Sequence, residues 1–298
     1  MILNPDSPLR QERIPAKLLL AGEFTVLTGG NTLGIPFHHF YGTWTKHENP
    51  DIRLKELYEF LLEKNLVYLD LGRFATDINE GWRFDSSIPE GYGLGSSGAL
   101  SAGILARYGI ADESTPYTIQ QRLATIESYY HGTSSGFDPL IAYTASACIV
   151  RNGTTQVLNI HHKIADTLRS RLFLIDSKTQ RNTIVPIEWF YVQLRQKSFK
   201  EAMEELNQLN DQLIGTLQEE TYANLNAMYY QISLIQSEYF QPLIAEPVRD
   251  LWTQGLTHKT HYCKLCGKGG GGYYFIWLDC TREKFHELYP DTELIQIF

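Results

Sequence analysis

Residues 88–100 read Ile-Pro-Glu-Gly-Tyr-Gly-Leu-Gly-Ser-Ser-Gly-Ala-Leu, and the apolar run of residues 100–106 follows at once. Glycines let a backbone turn tightly and approach a ligand with no Cβ in the way. The apolar run predicts a helix starting at Ser97. Such a helix aims its free N–H groups and positive dipole end at whatever the loop holds. An anion, most often a phosphate, suits that place. Ser96 and Ser97 could cap the helix or reach a metal ion riding on the phosphates. The competing reading is a glycine-rich turn that caps a helix and binds nothing.

Charged residues elsewhere could serve the same chemistry. Lys17 stands in the apolar stretch Leu18-Leu19-Leu20-Ala21 before Gly22-Glu23-Phe24. Lysines seldom sit in a buried strand without a partner, so Lys17 is expected to reach a carboxylate or a phosphate. Glu127 falls at the edge of an apolar stripe of Ile119, Leu123 and Ile126, where a solvated charge is the alternative. Asp138, ahead of Pro139 in a loop of small polar residues, could cap a helix. Near the end, Gly269 to Gly272 precede an aromatic strand, so the glycines lie between packed elements and not in a free linker.

Two better-known phosphate motifs do not account for the loop. Gly93, Gly95 and Gly98 satisfy G-x-G-x-x-G formally, but the acidic residue expected about 20 positions on would be Glu113, in a turn-like segment. No stretch reads G-x-x-x-x-G-K-[ST].

The loop Pro89-x-Gly91-x-Gly93-Leu94-Gly95-Ser96-Ser97-Gly98-Ala99 resembles the central nucleotide-binding motif of the GHMP kinases, the family of galactokinase, homoserine kinase, mevalonate kinase and phosphomevalonate kinase. Pro15-x-Lys17 followed by Gly22-Glu23 resembles that family's first motif. Mevalonate kinases carry His after the Glu; Phe24 stands here, and an aromatic at that place resembles phosphomevalonate kinase. Residues 131–138, His-Gly-Thr-Ser-Ser-Gly-Phe-Asp, resemble the mevalonate kinase motif His-Gly-x-Pro-Ser-Gly-x-Asp, with Ser134 in place of Pro. The stretch with Lys178, Arg181 and Thr183 resembles Thr-Lys-x-x-Arg-x-Thr of the same kinases. Lys264-Leu265-Cys266-Gly267-Lys268-Gly269 and the glycines after it resemble the third motif, with Lys268 where small residues are usual.

The resemblance implies a two-domain α+β GHMP kinase fold: a ribosomal-protein-like ATP-binding domain over residues 1–155 and an α/β-sandwich domain over residues 156–298. It implies ATP and Mg²⁺ as cofactors and transfer of the γ-phosphate to a small-molecule alcohol. Mevalonate is the leading acceptor. Phosphomevalonate, a sugar, or a non-catalytic role as a ligand- or partner-binding protein are the alternatives. By the same resemblance, Pro89, Gly91, Gly93, Leu94, Gly95, Ser96, Ser97 and Gly98 hold the phosphates, and Ser97 and Glu127 hold the metal. Asp138 orients and deprotonates the hydroxyl, with Lys17 beside it. Glu23, His131, Ser135, Gly267, Lys268, Gly269 and Gly270 line the acceptor site.

Elements must bring these residues together over 298 positions. Strands are expected at residues 14–21, 33–44, 172–176 and 273–277, with further strands within 141–160. Residues 1–13 read as a tail or edge strand. Helices are expected at residues 52–66 and 115–130, the second with Thr115 as cap and Pro116 at its first position. Residues 189–252 are Leu-rich with helical spacing, which predicts three or four helices. A net charge of -8 argues against a nucleic-acid partner. No apolar run is long enough to span a membrane and no secretory signal is visible, so a cytoplasmic setting is expected, with room for a homodimer. Cys263 and Cys266 form a C-x-x-C pair without the second pair a zinc site needs, and read as core residues.

Overall fold

Lys17 lies on the first strand of an antiparallel sheet. The computed structural model describes residues 12–111, 115–158, 162–180, 186–219 and 224–298. Strand β1 (Ile14–Ala21) passes through a short 3-10 turn (Thr25–Thr28) to β2 (Thr32–Lys46), long enough to pair with three neighbours. Helices α1 (Ile52–Glu63) and α2 (Leu71–Asn79) and strand β3 (Trp82–Ser86) lead to the glycine loop. Then come α3 (Ser96–Tyr108), α4 (Pro116–His131), α5 (Phe137–Thr144), β4 (Ala147–Arg151) and β5 (Thr154–Leu158). This sheet runs β1-β2-β4-β5, with β3 paired to the far end of β2.

The second half opens with α6 (His162–Arg171) and β6 (Leu172–Asp176). Helices α7 (Pro186–Gln193), α8 (Lys197–Glu219), α9 (Leu225–Tyr239) and α10 (Glu246–His258) follow, then β7 (His261–Leu265), β8 (Tyr273–Leu278), α11 (Arg282–Leu288) and β9 (Ile295–Gln296). Its sheet is ordered β7-β8-β6-β9 and is antiparallel throughout. The two sheets with their own helices make the two-domain α+β fold that the motifs imply.

Local chemistry explains most helix starts. Asp51, Asp70, Thr115 and Thr281 each accept a hydrogen bond from a first-turn N–H of α1, α2, α4 and α11. Helices α3 and α5 differ. Each begins at a glycine in the left-handed region, Gly95 (φ 78°) and Gly136 (φ 69°), which offers no side chain to cap the first turn.

Several expectations need correction. Residues 141–144 belong to α5 and not to a strand, and Asp138 sits inside the first turn of α5, so it is not the cap. Helix α3 begins one residue before Ser97. Helix α2 and strand β3 carry no counterpart in the sequence reading. Residues 1–11, Glu113, Arg181 and Thr183 lie outside the described residues. The cysteines form no disulfide, Cys263 and Cys266 are buried, and no group of three or more His, Cys, Asp or Glu able to hold a metal ion occurs among the described residues.

The halves meet along residues 23–31. Glu23 and Lys264 form an ion pair at 2.6 Å with both side chains 2% exposed. Phe24 packs against Phe190 and Phe240 with ring centroids 5.2 and 5.3 Å apart. The Asn210 amide donates to the Thr25 hydroxyl at 3.0 Å, and the Asn31 amide to Asp211 at 2.8 Å.

Candidate active site

The glycine loop is tied to β1 through its backbone. The N–H of Lys17 donates to the carbonyl of Leu94 at 3.0 Å. Leu94 itself is buried at 1% exposure, so its side chain anchors the loop and does not line a ligand site. A Cβ on Gly95 would lie 2.9 Å from the Lys17 Cγ, whereas one on Gly91 would meet nothing within 4 Å. Glycine at 95 therefore makes room for the Lys17 side chain, and not only for a ligand as the sequence suggests. Pro89, Gly93 and Ser96 are half-buried along the same loop and helix start. The first-turn N–H groups of α3 are left for an outside acceptor, since nothing caps that helix.

Gly98 has a different task. A Cβ there would come within 3.1 Å of the Pro139 nitrogen and 3.4 Å of Glu127 Oε1. Its absence lets α5 and α4 press against the start of α3. That contact brings Asp138 to β1, where its carboxylate lies 2.7 Å from the Lys17 ammonium. Lys17 is 6% exposed and Asp138 35%, so the carboxylate reaches solvent and the cation lies buried beside it.

Glu127 stands behind the same helix start, 6% exposed. The Ser97 hydroxyl donates to its Oε1 at 3.3 Å, and Ser134 donates a short hydrogen bond to its Oε2. Burial pushes the Glu127 carboxyl above its ordinary range, opposed by the Ser134 hydrogen bond. The Asp138 charge raises it further, and Ser97 and Lys17 pull it down. A buried carboxylate in this balance is short of positive charge. With the Ser97 hydroxyl it forms an all-oxygen donor set of the kind hard divalent cations take, so the residues fit Mg²⁺.

His131 ends α4, with Nε2 3.1 Å from the Ser97 hydroxyl. Partial burial holds its imidazole below the ordinary value; the Lys268 ammonium nearby adds to this, and Asp138 opposes it. Lys268 thus reaches the site from the other half of the chain, on the turn between β7 and β8. That turn is held to the body: Gly270 donates to the Leu243 carbonyl at 2.6 Å and Gly272 to Thr179 at 2.8 Å. A Cβ on Gly272 would touch Tyr92 of the loop at 3.0 Å, and the Tyr92 and Tyr273 rings lie 5.3 Å apart.

Not every residue named from the sequence joins this group. Glu23 is spent on Lys264. The Ser135 hydroxyl accepts from Phe137 N–H at 3.3 Å and its carbonyl from Gln120 at 2.8 Å, both local bonds that shape the entry to α5. Gly267 and Gly269 take positive φ in the turn, where Gly269 abuts Leu243. Lys178 is exposed and pairs with Asp176 at 3.3 Å. Ser134 was missed as a contact of Glu127; its departure from the family's Pro was the signal.

A glycine loop at an uncapped helix start, with a lysine, two carboxylates and a serine gathered at it, is an arrangement chemically suited to a phosphate and a divalent cation. Residues 55–146 match the family model described as the GHMP kinases N terminal domain. Mevalonate kinase from Methanococcus jannaschii shares the fold at a TM-score of 0.66, with 17% identity over 96% of this chain and 97% of that one. Streptococcus pneumoniae phosphomevalonate kinase, solved with phosphomevalonate and AMPPNP, gives 0.64 and 12% over 95% and 97%. Lactococcus lactis galactokinase, solved with galactose, gives 0.61 and 12% over 96% and 92%. No curated protein matches the sequence. The match to the N-terminal domain model is confined to residues 55–146, and over nearly the whole chain the fold is shared with mevalonate kinase, phosphomevalonate kinase and galactokinase structures.

Gly95→Val should weaken ATP binding, because the branched side chain meets Lys17 and the position holds φ 78°. Calorimetric titration of the folded variant checks this; an unchanged affinity would refute the loop's role.

Proposed function

We propose that the chain is an ATP-dependent kinase that phosphorylates a small-molecule alcohol, mevalonate first among acceptors. The observation that supports this most is the Asp138–Lys17 pair, 2.7 Å apart, beside the uncapped start of α3. Phosphoryl transfer asks a protein mainly for positioning and charge neutralisation. The loop from Gly91 to Gly98 seats the phosphates by backbone N–H groups. Ser97 and Glu127 would hold Mg²⁺, which would neutralise phosphate charge. Asp138 accepts the hydrogen bond of the acceptor hydroxyl and takes its proton as that oxygen becomes bonded to the γ-phosphorus and the bond from this phosphorus to the bridging oxygen breaks, releasing ADP. Lys17 holds Asp138 in place and faces the transferred group with a positive charge.

Phosphomevalonate is the second reading of the acceptor. Phe24 is buried among Phe190 and Phe240, so the polar residue that mevalonate kinases carry there is replaced by a packed ring. Lys268 adds an exposed cation near His131, which suits an acceptor already bearing a phosphate. An ADP-release assay over mevalonate, phosphomevalonate and galactose tests both readings. Release with one acceptor identifies it; release with none overturns the kinase.

Glu127→Gln removes the charge at nearly constant shape. The variant should need far more Mg²⁺ for the same rate while the acceptor's KM moves little. A magnesium titration matching that of the unsubstituted protein would rule out Glu127 as the metal's carboxylate.

A further inference from the structure

The Glu127 carboxylate divides its two oxygens between different neighbours. Ser134 donates to Oε2, while Oε1 is turned to the Ser97 hydroxyl and the start of α3. Ser134 is itself fixed, because its hydroxyl oxygen accepts from the Gly136 N–H at 2.9 Å. Gly136 is the left-handed residue that begins α5 two positions before Asp138. One hydroxyl therefore links the carboxylate on α4 to the helix that carries the acceptor-facing acid. The proline of the mevalonate kinase motif has neither a donor nor an acceptor in its side chain to form this link.

We propose that Ser134 is the positioning residue for the divalent-cation site. It holds Glu127 by Oε2, so that Oε1 alone is presented, beside Ser97, to the cation. A buried carboxylate with both oxygens free could rotate about its last bond and offer either oxygen, or both. With Oε2 occupied, one rotamer and one oxygen remain. Hydrogen-bond partners that orient a metal ligand commonly contribute 10–100-fold in affinity. The inference rests on the assignment of Glu127 to the metal made above.

The test measures Mn²⁺ binding by electron paramagnetic resonance in the presence of ADP, without turnover, for the unsubstituted chain, Ser134→Ala, Ser134→Cys, Ser134→Thr and Glu127→Gln. Melting temperature is recorded for each. Ser134→Ala and Ser134→Cys should bind Mn²⁺ about tenfold or more weakly. Ser134→Thr, which keeps the hydroxyl, should restore the affinity. A role confined to loop structure would lower the melting temperature of Ser134→Ala and leave its Mn²⁺ affinity unchanged, which overturns the proposal. If Glu127→Gln loses Mn²⁺ and neither Ser134→Ala nor Ser134→Cys does, the proposal alone fails. If Glu127→Gln binds Mn²⁺ as the unsubstituted chain does, the metal assignment fails, and the role of Ser134 with it.

Discussion

Asp138→Asn should turn over at least about a hundredfold more slowly while binding ATP and acceptor nearly as before. General-base help is worth roughly 10²–10⁴-fold, or about 3–5 kcal/mol in the barrier. It acts mostly in the transition state, so kcat should fall and KM should hold. The structure removes one competing account. Gly136 begins α5 and Asp138 lies within its first turn, so no capping role remains for Asn to preserve. What Asn does lose is the charge 2.7 Å from a lysine that is 6% exposed. Steady-state kinetics and a thermal melt on the same preparation separate the two effects. A folded Asp138→Asn protein with full activity would overturn the mechanism and leave the fold standing.

Glu23→Ala should destabilise the protein by about 3–5 kcal/mol, the usual cost of leaving one member of a buried ion pair alone. Among the described residues, Lys264 would keep the Leu265 carbonyl, at 3.1 Å, and the Phe275 ring, whose centroid is 4.6 Å away. Lys264→Met alone should also destabilise, since it strands the carboxylate, one of whose oxygens already lacks a partner. The double substitution Glu23→Leu with Lys264→Met removes both charges and should recover much of the loss. Urea unfolding of the three variants reads this directly. If the singles are as stable as the parent, the pair contributes nothing to holding the halves together.

Local signals made part of the site legible. The glycine run, the lysine in an apolar strand and the Thr115-Pro116 helix start each carry their reason within a few residues. Helix α5 was not legible. Residues 141–150 form a short apolar run that periodicity cannot assign to strand or helix. The break between them falls at Ala145, left-handed at φ 43°, with no glycine to mark it. The position of Glu23 was hidden for another reason. Its partner Lys264 lies 241 positions away, and nothing near Glu23 announces a buried cation. Gly98 was read as a phosphate contact, and the structure gives its lack of a side chain a second reason, since a Cβ there would meet Pro139, Asp138 and Glu127. A glycine needed for helix packing looks the same in sequence as one needed for a ligand.

The seam at residues 23–31 also bears on where the two halves could part. Parting the halves there would strand a carboxylate, an ammonium and an amide, and uncover the Phe24 ring. At the glycine loop the halves meet by ring and backbone contact, Tyr92 against Gly272 and Tyr273. The junction of the halves is therefore costliest to open at residues 23–31, where charges and amides would lose buried partners, and cheapest at the glycine loop, where only ring and backbone contact would be lost.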